Sequence, residues 1–238
     1  MRKLRGIFCF LITFLAIFLF STTHVSADGE GNWYHLPYPK GLRIFNMQSP
    51  FSQSPESNHR YFAIDFKAEY PGYDQWEPAP VVAARSGWVV YKKDCDDGTK
   101  EEEANLLVLG HGPKDSYSQY QEYSWYLHLQ KGSIPNYVVL GGYIRSGVII
   151  GKEGHNGKST GIHLHFAVTN WFNPSRLYTE GVPGDVAKAY LIRDQERIYL
   201  TVPFKFFEYQ DVRGWMENNW VGSENVITEV TTDPREPQ

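Results

Sequence analysis

The sequence predicts an all-β fold made of short antiparallel strands. Between residues 86 and 168, short runs rich in β-branched and aromatic residues recur at a spacing of roughly 10–15 residues, with turn residues between them. The chain of 238 residues contains 21 glycines and 14 prolines, which supply frequent turns. No stretch before residue 180 shows the helical period of about 3.6 residues. Together these features favour an antiparallel all-β domain.

The predicted strands follow one another from residue 86 onward. They are Ser86–Tyr91, Asn105–Leu109, Tyr123–Leu129, Tyr137–Leu140, Tyr143–Arg145, Gly147–Gly151 and Gly161–Val168. The polar stretch Lys92–Ala104 is predicted to be a solvated hairpin loop, because it combines an Asp-Asp-Gly turn with a run of glutamates. Past Gly181 the pattern weakens, and Asp185–Leu191 is compatible with a short helix.

The N-terminus has the three-part pattern of a secretory signal peptide. Basic residues at positions 2, 3 and 5 precede the apolar run Ile7–Phe20, and small residues ending at Ala27 offer a cleavage site. The run is shorter than the roughly 18 apolar residues of a membrane span, so no stable span is expected after cleavage. A retained N-terminal anchor is the alternative. We therefore expect a signal peptide over 1–27, a main domain over 28–180 and a C-terminal extension over 181–238.

Charge and cysteine content exclude two classes of protein. The formal net charge of −4 shows no basic excess, which argues against nonspecific nucleic-acid binding. Cys9 lies in the predicted signal peptide, so Cys95 would be alone in the mature chain. A single cysteine cannot form an internal disulfide, and the fold is therefore not expected to depend on one.

Two histidines on one predicted strand give the strongest sign of chemistry. His163 and His165 point to the same face of that strand, with their Cα atoms roughly 6.5–7 Å apart. Leu164 and Phe166 point to the opposite face and are predicted core residues. Buried imidazoles need polar partners, which a metal ion or a catalytic hydrogen bond would provide. A pair of solvent-facing histidines is the alternative.

Residues elsewhere in the sequence strengthen the prediction of a metal site. The loop Gly154–Gly161 is rich in glycine and small polar residues, which lets a substrate backbone approach closely. His128 lies in a separate predicted strand, and Asp65 stands between two apolar residues, where an acid is unusual unless it is paired or bound to metal. Two histidines and one carboxylate are a known catalytic zinc composition. If His59 and Asp65 share a metal, the chain must fold back between them, since six extended residues would span about 20 Å.

These motifs resemble those of the lysostaphin/LytM-type zinc metallopeptidases. The similar segments are Gly157–Phe166, Trp125–Leu129, Pro80–Val90, Gly141–Gly151 and Asn173–Pro174, within Leu36–Leu177. The resemblance implies an antiparallel all-β domain of that peptidase type, like a duplicated hybrid motif, followed by a short C-terminal extension. It also implies a secreted, cell-wall-associated endopeptidase that hydrolyses peptide bonds in the stem or cross-bridge of bacterial peptidoglycan.

The resemblance also implies a role for each candidate site residue. By position, it implies His59, Asp65 and His165 as Zn²⁺ ligands and His128 and His163 as the catalytic pair. The catalytic pair would accept a proton from the attacking water or donate hydrogen bonds to the developing oxyanion.

Two departures from the family pattern and two alternative functions accompany this interpretation. His59 precedes Asp65 by six residues rather than the commoner four, and Ala167 replaces the glutamate that usually follows His-Leu-His-Phe.

The alternatives are a non-catalytic wall-binding or regulatory protein with the same fold and a cupin-like β-barrel, which normally has a glutamate shortly after its His-x-His segment. His111 is predicted to be a turn histidine, and His155 a loop residue at the rim of the cleft.

Overall fold

The computed structural model describes residues 33–48, 63–69, 77–94, 98–99, 104–114, 120–157, 159–170, 172, 205–206 and 220–222. These residues form strands and turns, and none of them is helical. The strands are β1 (Trp33–Tyr34), β2 (Arg43–Gln48), β3 (Ala63–Glu69), β4 (Pro80–Val82), β5 (Gly87–Lys93), β6 (Leu106–Lys114), β7 (Tyr120–Leu127), β8 (Tyr143–Ile144), β9 (Ile149–Lys152), β10 (Leu164–Thr169), β11 (Lys205–Phe206) and β12 (Trp220–Gly222). The predicted all-β class is therefore confirmed.

One eight-stranded sheet dominates the structure. Its strand order is β12-β2-β3-β10-β7-β6-β5-β8, and every neighbouring pair is antiparallel. The predicted hairpin is present, because β5 pairs directly with β6. Strand β10, which begins at Leu164 within the His-x-His segment, lies in the middle of the sheet between β3 and β7. The central position brings residues from three strands that are distant in sequence to one place.

Two small sheets flank the large one. Strand β4 pairs antiparallel with β9, and β1 pairs parallel with β11. Both described strands of the C-terminal extension pair with N-terminal strands, β11 with β1 and β12 with β2. This part of the extension is therefore built into the same sheets as the rest of the fold.

The large sheet buries apolar side chains on both faces. Leu164 and Phe166 of β10 belong to one buried cluster, and Ala167 belongs to a second cluster with Trp125. Alternate residues of a strand point to opposite faces, so His165 shares the face of Ala167. The prediction that Leu164 and Phe166 point into a core is confirmed. The second face is the one that carries the candidate site.

One predicted strand is absent. Tyr137–Leu140 forms consecutive turns, in which Val138 N donates to Pro135 O and Gly142 N donates to Val139 O. Val139 and Leu140 are 53% and 66% exposed, so no strand covers them. Proline and glycine next to this short apolar run favour turns over strand pairing, which explains why the apolar composition misled the prediction.

Some predictions lie outside the described residues. They include the signal peptide over 1–27, His59, Cys95 and the short helix over Asp185–Leu191. Among the residues that the structure describes, no helix is long and apolar enough to span a membrane.

Candidate metal centre and catalytic histidines

Asp65 and His165 face each other across the centre of the large sheet. They are direct register partners of β3 and β10. Directly opposed residues of an antiparallel pair point to the same face, so both side chains project from the face described above. The Asp65 Oδ1 atom lies 2.8 Å from His165 Nδ1. Asp65 stands between Ile64 and Phe66, where its carboxylate was predicted to need a partner, and His165 is that partner.

His163 lies beside the same carboxylate. Its Nε2 atom is 3.7 Å from Asp65 Oδ1, so both histidines of the His-x-His segment lie on one side, as predicted, and both face Asp65. The residue is held just before β10 by a bridge to Gly154, whose carbonyl accepts a hydrogen bond of 3.0 Å from His163 N. The ring Nδ1–H donates to Gly161 O over 2.9 Å. In the neutral ring this leaves the Nε2 lone pair facing the site.

His128 completes the group from a third strand. Its ring centroid lies 4.7 Å from that of His163 and 6.1 Å from that of His165. The prediction that His128 lies within a strand is wrong, because β7 ends at Leu127. His128 instead has a φ of 64° and is the only non-glycine residue with positive φ in the described part of the chain. A histidine in the left-handed region is strained, and such strain is concentrated at functional sites.

The surroundings of His128 fix its protonation state. Its Nδ1–H donates to Asn156 O over 2.6 Å, so the Nε2 lone pair is available in the neutral ring. Burial, followed by the nearby rings of His163 and His165, lowers the pKa of His128 to about 3, against the opposing hydrogen bond to Asn156 O. His128 is therefore neutral near pH 7, which is the state that a general base requires.

The loop after β9 supports both candidate catalytic histidines. Gly154 accepts from His163 N, and Asn156 accepts from His128 Nδ1. A Cβ atom at Gly154 would overlap the carbonyl oxygen of His128 and lie 2.5 Å from Gln130 N. Only glycine lets the loop pack this closely on the backbone that follows β7. The glycine-rich composition seen in the sequence thus allows loop and strand to meet.

The donor set of Asp65 and His165 fits part of a zinc site. Carboxylate oxygen and imidazole nitrogen are zinc ligands, and two such atoms on one tetrahedral ion lie roughly 3.3–3.5 Å apart. Asp65 Oδ1 and His165 Nδ1 are 2.8 Å apart, so the two groups would have to move apart only slightly to bind one zinc ion. The described residues contain no group of three side chains that could hold a metal ion. The third predicted ligand, His59, lies outside those residues.

Two other histidines do not belong to this group. His111 was predicted to lie in a turn, which is wrong: it is buried in β6, where Nδ1–H donates to Ser86 O and Nε2 accepts from Ser124 Oγ, each over 2.8 Å. Strand β6 extends beyond the apolar run that marked it in the sequence. His155 lies exposed in the loop after β9, as predicted, with Nδ1 2.9 Å from Ser159 Oγ.

Sequence reasoning missed two contributors to the site. The Asn156 backbone carbonyl gives no signal in a sequence, because any residue carries one. Glu153 did give a signal, since only Gly151 and Lys152 separate it from the apolar run Val148–Ile150, and an acid so close to a predicted strand raises the same question as Asp65. The structure buries Glu153 completely.

Comparison with known families agrees with the motifs. The family model of peptidase family M23 matches residues 63–176. The matched segment includes Asp65, His128, His163 and His165. This segment is a peptidase family M23 domain. The resemblance to the lysostaphin/LytM-type peptidases is thereby confirmed, and the M23 domain is of the metallopeptidase kind of hydrolase.

Solved structures of peptidases overlap part of the chain. A zinc-containing peptidase from Vibrio cholerae is 27% identical, with 57% of this chain and 36% of that chain covered and a TM-score of 0.38. The catalytic domain of lysostaphin from Staphylococcus simulans is 26% identical, with 56% and 84% covered and a TM-score of 0.36. This chain spans about a third of the Vibrio cholerae peptidase. No curated protein matches the chain.

Proposed function

We propose that this protein is a secreted zinc-dependent endopeptidase that hydrolyses peptide bonds in the stem or cross-bridge of bacterial peptidoglycan. The observation that carries the proposal is the convergence of Asp65, His128, His163 and His165 on one face of the sheet. Asp65 Oδ1 lies 2.8 Å from His165 Nδ1 and 3.7 Å from His163 Nε2, and His128 packs on both rings. The M23 family match supports the same chemistry.

The proposed role of each histidine follows from which of its ring nitrogens already forms a hydrogen bond. Asp65 and His165 would hold the metal together with His59. When bound, zinc supplies Lewis acidity, which polarises a carbonyl oxygen and lowers the pKa of water toward about 7. His128 and His163 each engage Nδ1 with a backbone carbonyl, so each presents Nε2 to the site.

The two free ring nitrogens suit proton transfer. A neutral imidazole whose Nε2 lone pair faces the reacting groups accepts a proton from the attacking water. After protonation the same Nε2–H donates to the developing oxyanion or to the leaving amine. The low pKa of His128 favours return of the proton after the transfer. Because Asn156 and Gly161 hold the rings, neither imidazole has to reorganise during the step.

Secretion is part of the proposal and rests on the N-terminal pattern of basic residues, an apolar run and small residues up to Ala27. Peptidoglycan lies outside the cytoplasm, so an enzyme that cuts it must be exported. Expression of the full chain in a bacterial host tests this point. We expect the mature protein in the medium or the wall fraction with Asp28 at its N-terminus. A full-length chain that stays in the cytoplasm would contradict export.

A non-catalytic wall-binding role is the second candidate. It is the alternative that the sequence left open, a protein with the same fold that binds the wall without cutting it. Zinc content and amine release from purified peptidoglycan separate the two functions. The proposed enzyme binds zinc and releases amines in a chelator-sensitive reaction. A binding protein sediments with peptidoglycan but contains no zinc and releases no amines.

A further inference from the structure

Glu153 is a fully buried acid directly after β9. Its side chain receives hydrogen bonds from four donors: Tyr38 Oη (2.7 Å) and Ala68 N (2.8 Å) at Oε1, and Lys67 Nζ (2.6 Å) and Ala79 N (3.3 Å) at Oε2. A carboxylate accepts at both oxygens, whereas an amide would turn its NH₂ group toward two of these donors. The pocket is therefore specific for an ionised glutamate.

The electrostatics of the pocket agree with its hydrogen bonds. Burial raises the pKa of Glu153 above its ordinary value, and the ammonium of Lys67 with the hydrogen bonds from Tyr38 and Ala68 opposes that rise. Lys67 Nζ forms an ion pair of 2.6 Å with Glu153 Oε2. A buried acid that is this fully paired is held in one position.

Glu153 joins the small β4–β9 sheet to the large sheet. Its backbone N–H donates to Ala79 O over 2.9 Å, beside the pairing of β4 with β9. Its side chain binds Lys67 and Ala68 of β3, the strand that also carries Asp65. One residue thus links the candidate metal-binding strand to the loop that begins at Gly154.

That loop reaches both candidate catalytic histidines within three residues. Gly154 O accepts from His163 N, and Asn156 O accepts from His128 Nδ1. Gly154 also packs on the backbone of His128, where a Cβ atom would overlap the carbonyl oxygen. The positive φ of His128 persists only if the surrounding structure holds it, and this loop is the structure in contact with it.

We infer that Glu153 is a positioning residue that sets His128 and His163 against Asp65 through the loop from Gly154 to Asn156. The inference rests on the proposed function for its effect on rate. Its structural part does not, because the position of the His128 ring can be measured without substrate.

Tyr38→Phe is the most direct test. It removes one donor to Glu153 and keeps the ring that packs in the core. Tyr34→Phe is a matched control, because Tyr34 is also fully buried and its hydroxyl donates to another glutamate, Glu122, over 3.1 Å. Any general cost of losing a buried hydroxyl should appear in both variants. Glu153→Gln is the stronger change at the same pocket.

Each zinc-loaded variant is compared for amine release from purified peptidoglycan at saturating and at half-saturating substrate. The ring N–H signals of ¹⁵N-histidine-labelled protein are recorded in parallel, with His128→Ala used to assign the His128 signal. We expect Tyr38→Phe to lower the saturated rate by about fivefold and Glu153→Gln by about tenfold or more, with little change in the half-saturating concentration. Both should shift or broaden the His128 Nδ1–H signal, while Tyr34→Phe changes neither readout.

Equal rates and equal His128 signals in Tyr38→Phe and Tyr34→Phe would overturn the inference. A changed signal without a changed rate, or a changed rate with an unchanged signal, would overturn it as well. If Glu153→Gln does not fold, Tyr38→Phe decides the question alone. If the wild type releases no amines, the proposed function fails, and the His128 signals still decide whether Glu153 positions the ring.

Discussion

Nδ1 of His128 donates a hydrogen bond of 2.6 Å to the backbone carbonyl of Asn156, a residue 28 positions further along the chain. The contact joins the end of β7 to the loop after β9. It fixes which nitrogen of His128 carries the proton and leaves Nε2 for the site. The candidate chemistry therefore depends on a loop that contributes a backbone atom to the site.

Replacing His128 should separate catalysis from metal binding. His128→Ala is expected to lower amine release from peptidoglycan on the order of 100-fold or more, since it removes a general acid–base group. Zinc content, measured by plasma mass spectrometry, should stay at the wild-type value. Loss of zinc from His128→Ala would assign this residue to the metal instead.

Asp65 and His165 should behave in the opposite way. Asp65→Ala and His165→Ala each remove one of two zinc-type donor atoms that lie 2.8 Å apart. We expect both variants to lose bound zinc and, as a result, all chelator-sensitive amine release. His163→Ala is the matched comparison, because it removes a neighbouring imidazole that is not a predicted ligand. Equal zinc content in all of these variants would contradict the assignment.

Gly154→Ala should damage the site through the backbone. The added Cβ atom would overlap the His128 carbonyl oxygen, so loop and strand must separate. We expect a loss of about 1–3 kcal/mol in the free energy of unfolding, measured by urea denaturation, together with reduced amine release.

Gly161→Ala provides the control for this change. A Cβ atom at Gly161 would meet nothing within 4 Å. The free energy of unfolding should therefore stay within about 0.5 kcal/mol of the wild-type value. If the two alanine variants are equally stable, the close approach at Gly154 has no energetic importance.

Burial of His111 predicts a specific pH dependence of stability. Burial lowers its pKa from 6.5 to about 3, against the opposing hydrogen bond to Ser86 O. Between these values the unfolded chain binds the proton and the folded chain does not, so stability is complete above about pH 6.5 and falls as the pH drops toward 3. From pH 7.5 to pH 5 the expected loss from this group is about 2 kcal/mol.

His111→Gln tests that expectation. Its amide can still donate to Ser86 O and accept from Ser124 Oγ, but it does not titrate. Urea unfolding of both proteins at the same zinc concentration should show a shallower pH dependence in the variant. His128 contributes equally to both curves, so the difference isolates His111. Parallel curves would mean that the pKa of His111 is the same in the folded and the unfolded chain, which would contradict the expectation.

The sequence was sufficient to predict the fold class and most of the site. The alternation of histidine with apolar residues from His163 to Phe166 predicted that both histidines share one face of the strand. The position of Asp65 between two apolar residues predicted that its carboxylate is paired. These inferences succeeded because strand geometry is local and because a buried charge always needs a partner. The family match followed from the same residues.

The errors arose where tertiary contacts override local pattern. The apolar run Tyr137–Leu140 is typical of a strand, but the adjacent proline and glycines favour consecutive turns instead. His128 follows a strand-like run and yet adopts a left-handed conformation, in which Gly154 packs against its backbone. The role of Glu153 depends on four donors from distant segments, and no local pattern encodes them.

Zinc restoration tests the central claim most directly. Purified protein is stripped with a chelator, and amine release from purified peptidoglycan is followed as zinc is returned, beside His128→Ala treated identically. The account predicts no release from the stripped wild type, recovery as one zinc per chain binds, and no recovery in His128→Ala. Release that continues without zinc, or a wild type that binds zinc and cuts no peptide bond in several types of peptidoglycan, would contradict it.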